Sequence, residues 1–540
     1  MEPWWRGAVI YQVYPRSFRD ANGDGVGDLA GITEKLDYIA DLGVDAVWIS
    51  PFFQSPMKDF GYDISDYRRV DAIFGTDADF DRLLTKAHDR GLKVVVDMVL
   101  AHCSDQHPWF VESRSSRTNP KADWYVWADP KEDGSPPNNW ISTFGGSTWQ
   151  WDTRRSQYYL HHFLKEQPNF DWHNPEVVEA MLGEVRFWLE KGVDGLRLDA
   201  IMSLVHDKAL RDNPPAPKDA GSAHVATDRG SNFGMQLHVY DRDRPEIMEK
   251  FAALRDLTDE FPGTVTLGEI GEGAAIDATA RYTNAERGID TGYTFELTKP
   301  AFSAGRLTEV VGAVEASIGR GWKTYAFSNH DVVRAVSRWG ALPDLGGDRI
   351  ALAKLLMALL TSLRGSVCLY QGEELGLTEA ELDFEEIVDP PGIEFWPTYK
   401  GRDGCRTPFP WDSRAPNAGF GLTKPWLPVP EEHRAMAADL QAADPDSVLS
   451  FARRFLAWRK QHPALITGAM ELLDLPEPVF GFVRTHGDAR LLCLFNISNR
   501  ETRVSVDGAW RGLDESGFPS PFSDGGTVLG PFQALFAAAV

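Results

Sequence analysis

Cysteine is scarce: the 540 residues include four, Cys103, Cys368, Cys405 and Cys493. They lie far apart with no Cys-x-x-Cys pair, so neither a disulfide framework nor a thiolate metal site is indicated, and four reduced thiols are expected. Long apolar runs are missing. The longest, around Leu355 to Leu360, is closed by Lys354 and Thr361, far short of the ~18 residues a membrane span needs. The opening MEPWWRGAVIYQ contains Glu2 and Arg6 and no uninterrupted apolar stretch. No secretory leader is read there, and a cytoplasmic location is expected. Positive charge is short as well. Lys and Arg number 55 against 79 Asp and Glu, a net charge of −24, and no block of Lys and Arg occurs. Nucleic acid and anionic membranes are therefore disfavoured as partners.

What is present describes a folded enzyme-sized chain. The 43% hydrophobic content and 18 Trp exclude global disorder. The length allows about three units, or one large barrel with additions. AVIYQV (8–13), VDAVWIS (44–50), KVVVDMVL (93–100), VDGLRLDA (193–200), TVTLGEI (264–270), YTFEL (293–297), TYAFSNH (324–330) and VCLYQGE (367–373) read as strands. Helical spacing separates most of them, as in Leu29, Ile32, Leu36 and Ile39, stopped by Gly43. Asn174 followed by Pro175 marks a helix start. Eight strands alternating with helices predict an α/β fold, a (β/α)8 TIM barrel; an open doubly wound sheet fits the pattern alone less well.

Two segments interrupt the alternation. Residues 104–170, rich in Trp, Pro, Ser and Asn, read as an inserted domain after strand 3. Residues 374–440 read as a long loop or subdomain after strand 8. The barrel then comprises 1–103 and 171–465. Short alternating strands such as VFGFVRT and ARLLCLFNI predict a C-terminal antiparallel β-sandwich over 466–540.

Several strands end in ionisable residues: Asp97 then His102, Arg197 and Asp199, Glu269, and His330 with Asp331. Barrel enzymes gather catalytic groups at these ends. Arg197 and Asp199 are two apart and share a face, leaving Leu196 and Leu198 toward the helices. An Asp beside an Arg should stay ionised. Singly, a strand-end Asp is more often a cap or ion-pair partner, and a lone His a packing residue. Five such sites together point to a barrel hydrolase.

The ordered motifs carry more. DMVLAH (97–102), GLRLDA (195–200), GEI (268–270) and FSNHD (327–331) resemble the four signatures of the α-amylase-type glycoside hydrolase family. WWRGAVIYQVYPRSFRDANGDGVGD, GYDISDY (61–67), QPNFD (167–171) and GRDGCRTPFPW (401–411) resemble its α-glucosidase and oligo-1,6-glucosidase branch. The resemblance covers nearly the whole chain. It implies Asp199 as nucleophile, Glu269 as general acid/base and Asp331 as the carboxylate holding the sugar's 2- and 3-hydroxyls. Arg197 would orient the nucleophile, and His102 and His330 would bond glucose hydroxyls. Tyr62 would stack on the ring, and Asp63 and Arg402 would close the pocket around a terminal glucose. Phe144 and Phe163 would wall it, ordinary packing being the plainer reading for both. A retaining mechanism needs two carboxyls about 5–5.5 Å apart, one of them protonated by a raised pKa. Ala200 stands where α-1,6-specific relatives carry Val, so an α-1,4 preference is expected.

The resemblance implies an exo-acting, retaining α-glucosidase acting on short α-glucosides, with transglucosylation as a side path. An oligo-1,6-glucosidase, or a transglucosylase or isomerase of sucrose or maltose, is the alternative. A non-enzymatic barrel like the transporter subunits of this family is disfavoured by the complete carboxylate set. Asp20, Asn22, Asp24, Val26 and Asp28 place oxygen ligands at alternate positions with Gly25 at the sixth, as in a calcium loop, though Gly31 replaces the usual Glu. One structural divalent cation, Ca²⁺ before Mg²⁺, is expected, with a Gly-rich polar turn as the plainer reading. No organic cofactor is expected. Ala101 replaces the Asn that ligates a second calcium in true α-amylases, so that site is not expected. Oligomeric state is not legible.

Overall fold

The computed structural model describes residues 2–217, 232–271, 275–284, 286–520, 522 and 526–540. Eight parallel strands form one sheet: Val9–Val13, Ala46–Ile49, Lys93–Met98, Gly195–Leu198, Val265–Ile270, Thr291–Thr294, Thr324–Ala326 and Ser366–Tyr370. Each pairs with its neighbour in sequence except the sixth and seventh, and the first pairs with the eighth. The sixth and seventh meet where the Thr291 and Thr324 hydroxyls hydrogen-bond at 2.8 Å. The sheet is thus a nearly closed barrel.

The period-two pleat sorts the side chains. Ile10, Ala46, Trp48, Val95, Val265, Leu267, Tyr293, Ala326 and Cys368 form one interior cluster. Val9, Tyr11, Val47, Val94, Val96, Leu196 and Leu198 belong to the larger core that includes the surrounding helices. The sixth and seventh strands differ most from the sequence reading. The sixth begins at Thr291, and Phe295–Thr298 turns as a short 3₁₀ segment capped by the Thr294 side chain. The seventh stops at Ala326, because the Asn329 carboxamide turns the chain by accepting the Asp331 N–H at 2.8 Å. The helix expected from Leu29 to Ile39 breaks at Lys35 into Leu29–Glu34 and Leu36–Asp41. Pro175–Glu190 starts as expected, with the Asn174 side chain accepting the Glu176 N–H.

Between the third and fourth strands lies a small antiparallel sheet of Trp127–Ala128, Gln157–Leu160 and Trp149–Asp152. It packs on Val126, Trp140, Trp149 and Leu160. The chain re-enters the barrel beside its point of departure, where His102 bridges Asn169. After the eighth strand, residues 374–440 run through short helical turns around buried Asp389, Arg402, Asp403 and Arg406. The C-terminal part holds a five-stranded antiparallel sheet ordered Ala469–Leu472, Val479–His486, Ala489–Asn496, Ala534–Ala539, Trp510–Gly512. Its one face shares a core with the pair Thr502–Val504 and Thr527–Leu529. Phe480, Phe482, Phe495 and Phe536 of the other face join the barrel's core. Among the described residues no helix is long and apolar enough to cross a membrane.

Candidate active site

The inward positions at the carboxyl ends of the strands converge on Arg197. Its Nη1 contacts Asp97 Oδ1 at 2.8 Å and Asp199 Oδ1 at 2.7 Å, and its Nη2 contacts Glu269 Oε1 at 2.7 Å. Nη2 also donates to the Tyr293 hydroxyl at 2.9 Å, which in turn donates to Glu269 Oε1 at 3.2 Å. The Ala200 N–H donates to Glu269 Oε2 at 3.0 Å. Ala200 does so from a left-handed conformation, φ 40°. The turn that bends the chain after the fourth strand therefore also orients Glu269.

Asp331 stands among a second group of charges. Its Oδ1 accepts from Arg402 Nη1 at 3.1 Å and Arg406 Nη2 at 2.8 Å. Arg402 reaches it from the long loop after strand 8, held by Asp389 at 2.7 Å and Asp59 at 2.9 Å. Here the structure corrects the sequence reading: Arg402 pairs with Asp59, not Asp63. Asp63 is fully buried, and its carboxylate accepts from the Ser55 hydroxyl and the Lys58 and Asp59 N–H groups, each at 2.9 Å. It braces the loop that carries Asp59. Two aspartates four apart in KDFGYD look alike in sequence, and only the turn between them decides which faces the arginine.

Asp59, Tyr62, His102, Phe144, Phe163, Asp199, Ala200, Glu269, Asp331 and Arg402 line one open pocket. Arg402 lies over the Phe144 ring, and Phe144 and Phe163 meet edge to face at 5.6 Å. His102 packs on Phe163 at 5.2 Å. His330, expected to bond sugar hydroxyls, is fully buried outside that lining. Its Nδ1 faces the Gln12 amide at 2.7 Å and its Nε2 the Tyr62 hydroxyl at 2.5 Å. Both ring nitrogens are taken, so His330 supports Tyr62, whose ring stacks on it at 5.4 Å. Sequence reasoning passed over Asp59, Tyr293, Arg406 and Arg242, the last of which also lines the pocket. Arg406 sits one turn beyond Arg402 and gave a signal; Tyr293 lay in an apolar strand and gave none.

Among the described residues Arg197 is the one cation in contact with Asp97, Asp199 and Glu269. Burial pushes Asp97 up to about 6, and Asp199 and Glu269 up to about 7, against the pull of Arg197. Glu269 moves as the sequence reading required. Asp199 does not keep the ordinary carboxylate range expected beside an arginine, because burial and the neighbouring Asp97 and Asp331 outweigh Arg197. The pair holds about one proton near neutrality. Burial would also raise Asp331, but His330, Arg402 and Arg406 drive it well below the usual range. His330 is itself pushed down to about 3 by burial, so at neutral pH the two guanidiniums keep Asp331 ionised. His102, buried, falls to about 3 and stays neutral.

The Asp20–Asp28 loop is folded as a chain of side-chain-capped turns. Asp20 accepts the Gly23 and Gly25 N–H groups at 2.6 and 3.0 Å. Asp28 accepts those of Ala21, Asn22 and Gly31, and Asp24 accepts that of Val26. The adjacent Arg19 turns to Glu34 and to the Asp20 and Phe420 carbonyls, not to these carboxylates. Asp20 and Asp28, both buried, have no cationic side chain against them among the described residues. That donor set suits a hard divalent cation, although the three carboxylates stand too far apart to share a 4.8 Å sphere, so an ion would have to draw them together.

The family described as alpha amylase, catalytic domain, matches residues 12–468. This chain belongs to the alpha-amylase family of glycoside hydrolases. A probable alpha-glucosidase of Rhizobium meliloti (strain 1021) is 52% identical, covering 99% of this chain and 97% of that one. An oligo-1,6-glucosidase of Heyndrickxia coagulans is 38% identical over 94% of each chain. The solved structure of the alpha-glucosyl transfer enzyme XgtA aligns over the full length of both chains at 53% identity with a TM-score of 0.97. Within this alpha-amylase family the fold is the barrel described above.

Proposed function

We propose that the chain is a retaining, exo-acting α-glucosidase that releases α-D-glucose from the non-reducing ends of short α-glucosides, with α-1,4 linkages preferred. One observation carries the reading: a single guanidinium, Arg197, gathers Asp199 and Glu269 at the floor of a pocket whose other side presents an ionised Asp331. In this reading Asp199 attacks the anomeric carbon while Glu269 gives its proton to the leaving oxygen. Glu269 then takes a proton from water, and the second inversion restores the α configuration. Two carboxyls on one guanidinium favour the short separation of retaining enzymes over the wider inverting one. Asp331 and His102 bind the terminal glucose, and Tyr62, Phe144 and Phe163 enclose it. The Asp59–Arg402 contact limits the pocket to one end of a chain. Four buried, unpaired thiols suit a reducing cytoplasm.

The test is release of p-nitrophenol from its α-glucoside by the native chain and by Asp199→Asn. Loss of at least a hundredfold is expected; equal rates overturn the assignment. Products from maltose and isomaltose, resolved by anomer, decide retention and linkage. Faster isomaltose cleavage would overturn the α-1,4 preference drawn from Ala200. A second reading, glucosyl transfer to sugar acceptors, is supported by the 53% identity to an alpha-glucosyl transfer enzyme, and oligosaccharide products at high maltose would show it. For the Asp20–Asp28 loop we propose a structural Ca²⁺ held by Asp20, Asn22, Asp24, Asp28 and the Val26 carbonyl. Chelation should lower the melting temperature; lost activity with unchanged melting would overturn a structural role.

A further inference from the structure

Outside the pocket, one other group of ligand-type side chains comes together. Single ligand atoms of Asp171, His173 and His206 all lie within 4.8 Å of one another, the one such trio of His, Cys, Asp or Glu among the described residues. Asp171 and His173 stand where the chain returns to the barrel, just ahead of the helix Pro175–Glu190. His206 belongs to the segment after the fourth strand, three residues beyond Ser203, which lines the pocket.

Each of the three has a donor atom to spare. His173 Nε2 lies 2.8 Å from the His206 carbonyl and donates to it, which leaves the Nδ1 lone pair free. A carbonyl that fixes the far nitrogen of an imidazole is the usual way a protein sets the tautomer and aim of a ligating histidine. Asp171 uses Oδ1 to accept the His173 N–H at 3.0 Å, which leaves Oδ2. Neither ring nitrogen of His206 is hydrogen-bonded by a described residue. Its ring meets that of His173 edge-on at 5.0 Å and that of Trp140 at 6.4 Å, so its direction is set by packing.

We propose that Asp171, His173 and His206 form a binding site for a divalent transition-metal ion of the zinc and cobalt class, tying the exit of the inserted segment to the segment after the fourth strand. Two imidazole nitrogens and one carboxylate oxygen select such borderline ions over calcium, and the fourth tetrahedral position is left to water. The ligand set is thus different in kind from the all-oxygen set of the Asp20–Asp28 loop. Because His206 follows Ser203 so closely, occupancy would also stiffen one side of the pocket mouth.

The experiment uses the full chain, stripped of metal and returned to calcium-containing buffer, with Zn²⁺ titrated calorimetrically and Co²⁺ followed by visible absorption. One Zn²⁺ per chain is expected, with affinity at least tenfold weaker in His173→Gln and in His206→Gln. Co²⁺ should give the intense bands of a tetrahedral nitrogen–oxygen site, lost in both variants. His88→Gln removes a histidine paired with Asp194 at the surface and should bind like the native chain. Absence of saturable Zn²⁺ uptake by the native chain overturns the proposal. So does uptake that survives unchanged in both histidine variants, which would place the ion elsewhere. Melting of the metal-free variants reports their folding. Should His206→Gln fail to fold, Asp171→Asn takes its place, and an octahedral Co²⁺ spectrum in the native chain would count against the site.

Discussion

At the scale of residues, the site is a problem of one arginine and too many carboxylates. Asp97, Asp199 and Glu269 share Arg197, and burial leaves the last two titrating near 7. The sign of the linkage follows. A carboxyl raised from 4.5 unfolded to about 7 folded favours folding below pH 4.5, and this contribution is lost as pH rises through 7. Glu269→Gln removes that burden. It should be more stable than the native chain by on the order of 2 kcal/mol at pH 8, with the gain vanishing below about pH 4.5. Thermal melts at both pH values check it. The same variant should lose roughly 10²–10⁴-fold in rate toward substrates with poor leaving groups. For the native chain, the rate should fall at alkaline pH with a limb near 7, as Glu269 gives up its proton. Asp199, Glu269 and Asp331 were legible because they fall within GLRLDA, GEI and FSNHD, which resemble the family signatures; the sharing of Arg197 was not, since it joins three strands.

At the scale of elements, the barrel strands were readable because period-two alternation and intervening helical spacing are local properties. Their ends were less so: the seventh strand stops at Ala326 because an Asn329 turn intervenes, and the sixth yields to a capped turn at Thr294. The loop bearing Asp59 and Asp63 is the clearest miss. Its two aspartates divide the work, one facing Arg402 and the other the loop's own N–H groups. Asp59→Ala should therefore raise KM about tenfold with little change in melting temperature. Asp63→Ala should lower stability by about 1–3 kcal/mol by leaving buried donors unpaired. Steady-state kinetics and melting curves on the two variants separate the effects, and the opposite pattern would restore the pairing first read from the sequence.

At the scale of the whole molecule, the C-terminal sheet is fastened to the barrel. Phe536 packs on Phe455 and Trp458 of the helix Val448–Lys460 at 5.4 and 5.1 Å. Buried Arg484 donates to the carbonyls of Ser362, Leu465 and Gly468, and Arg459 to those of Thr361 and Gly7. Arg484→Ala should cost about 2–4 kcal/mol, read from denaturant melts, because three carbonyls lose their donor. Removing residues 466–540 should give an insoluble chain with no cooperative melt, because it bares the aromatic face of that helix. A soluble, active truncation would show the two parts to be independent.

The sequence by itself determined the strand order, the identity of the strand-end carboxylates and the membership of the alpha-amylase family of glycoside hydrolases. These rest on local periodicity and short ordered motifs, both of which are written along the chain. Only the tertiary structure decided that Asp59 and not Asp63 meets Arg402, that His330 backs Tyr62 instead of facing the pocket, and that Asp171, His173 and His206 come within reach of a common ion. Each of those depends on atoms brought together from segments far apart in the chain, or on which way a single turn faces, and neither is encoded in spacing.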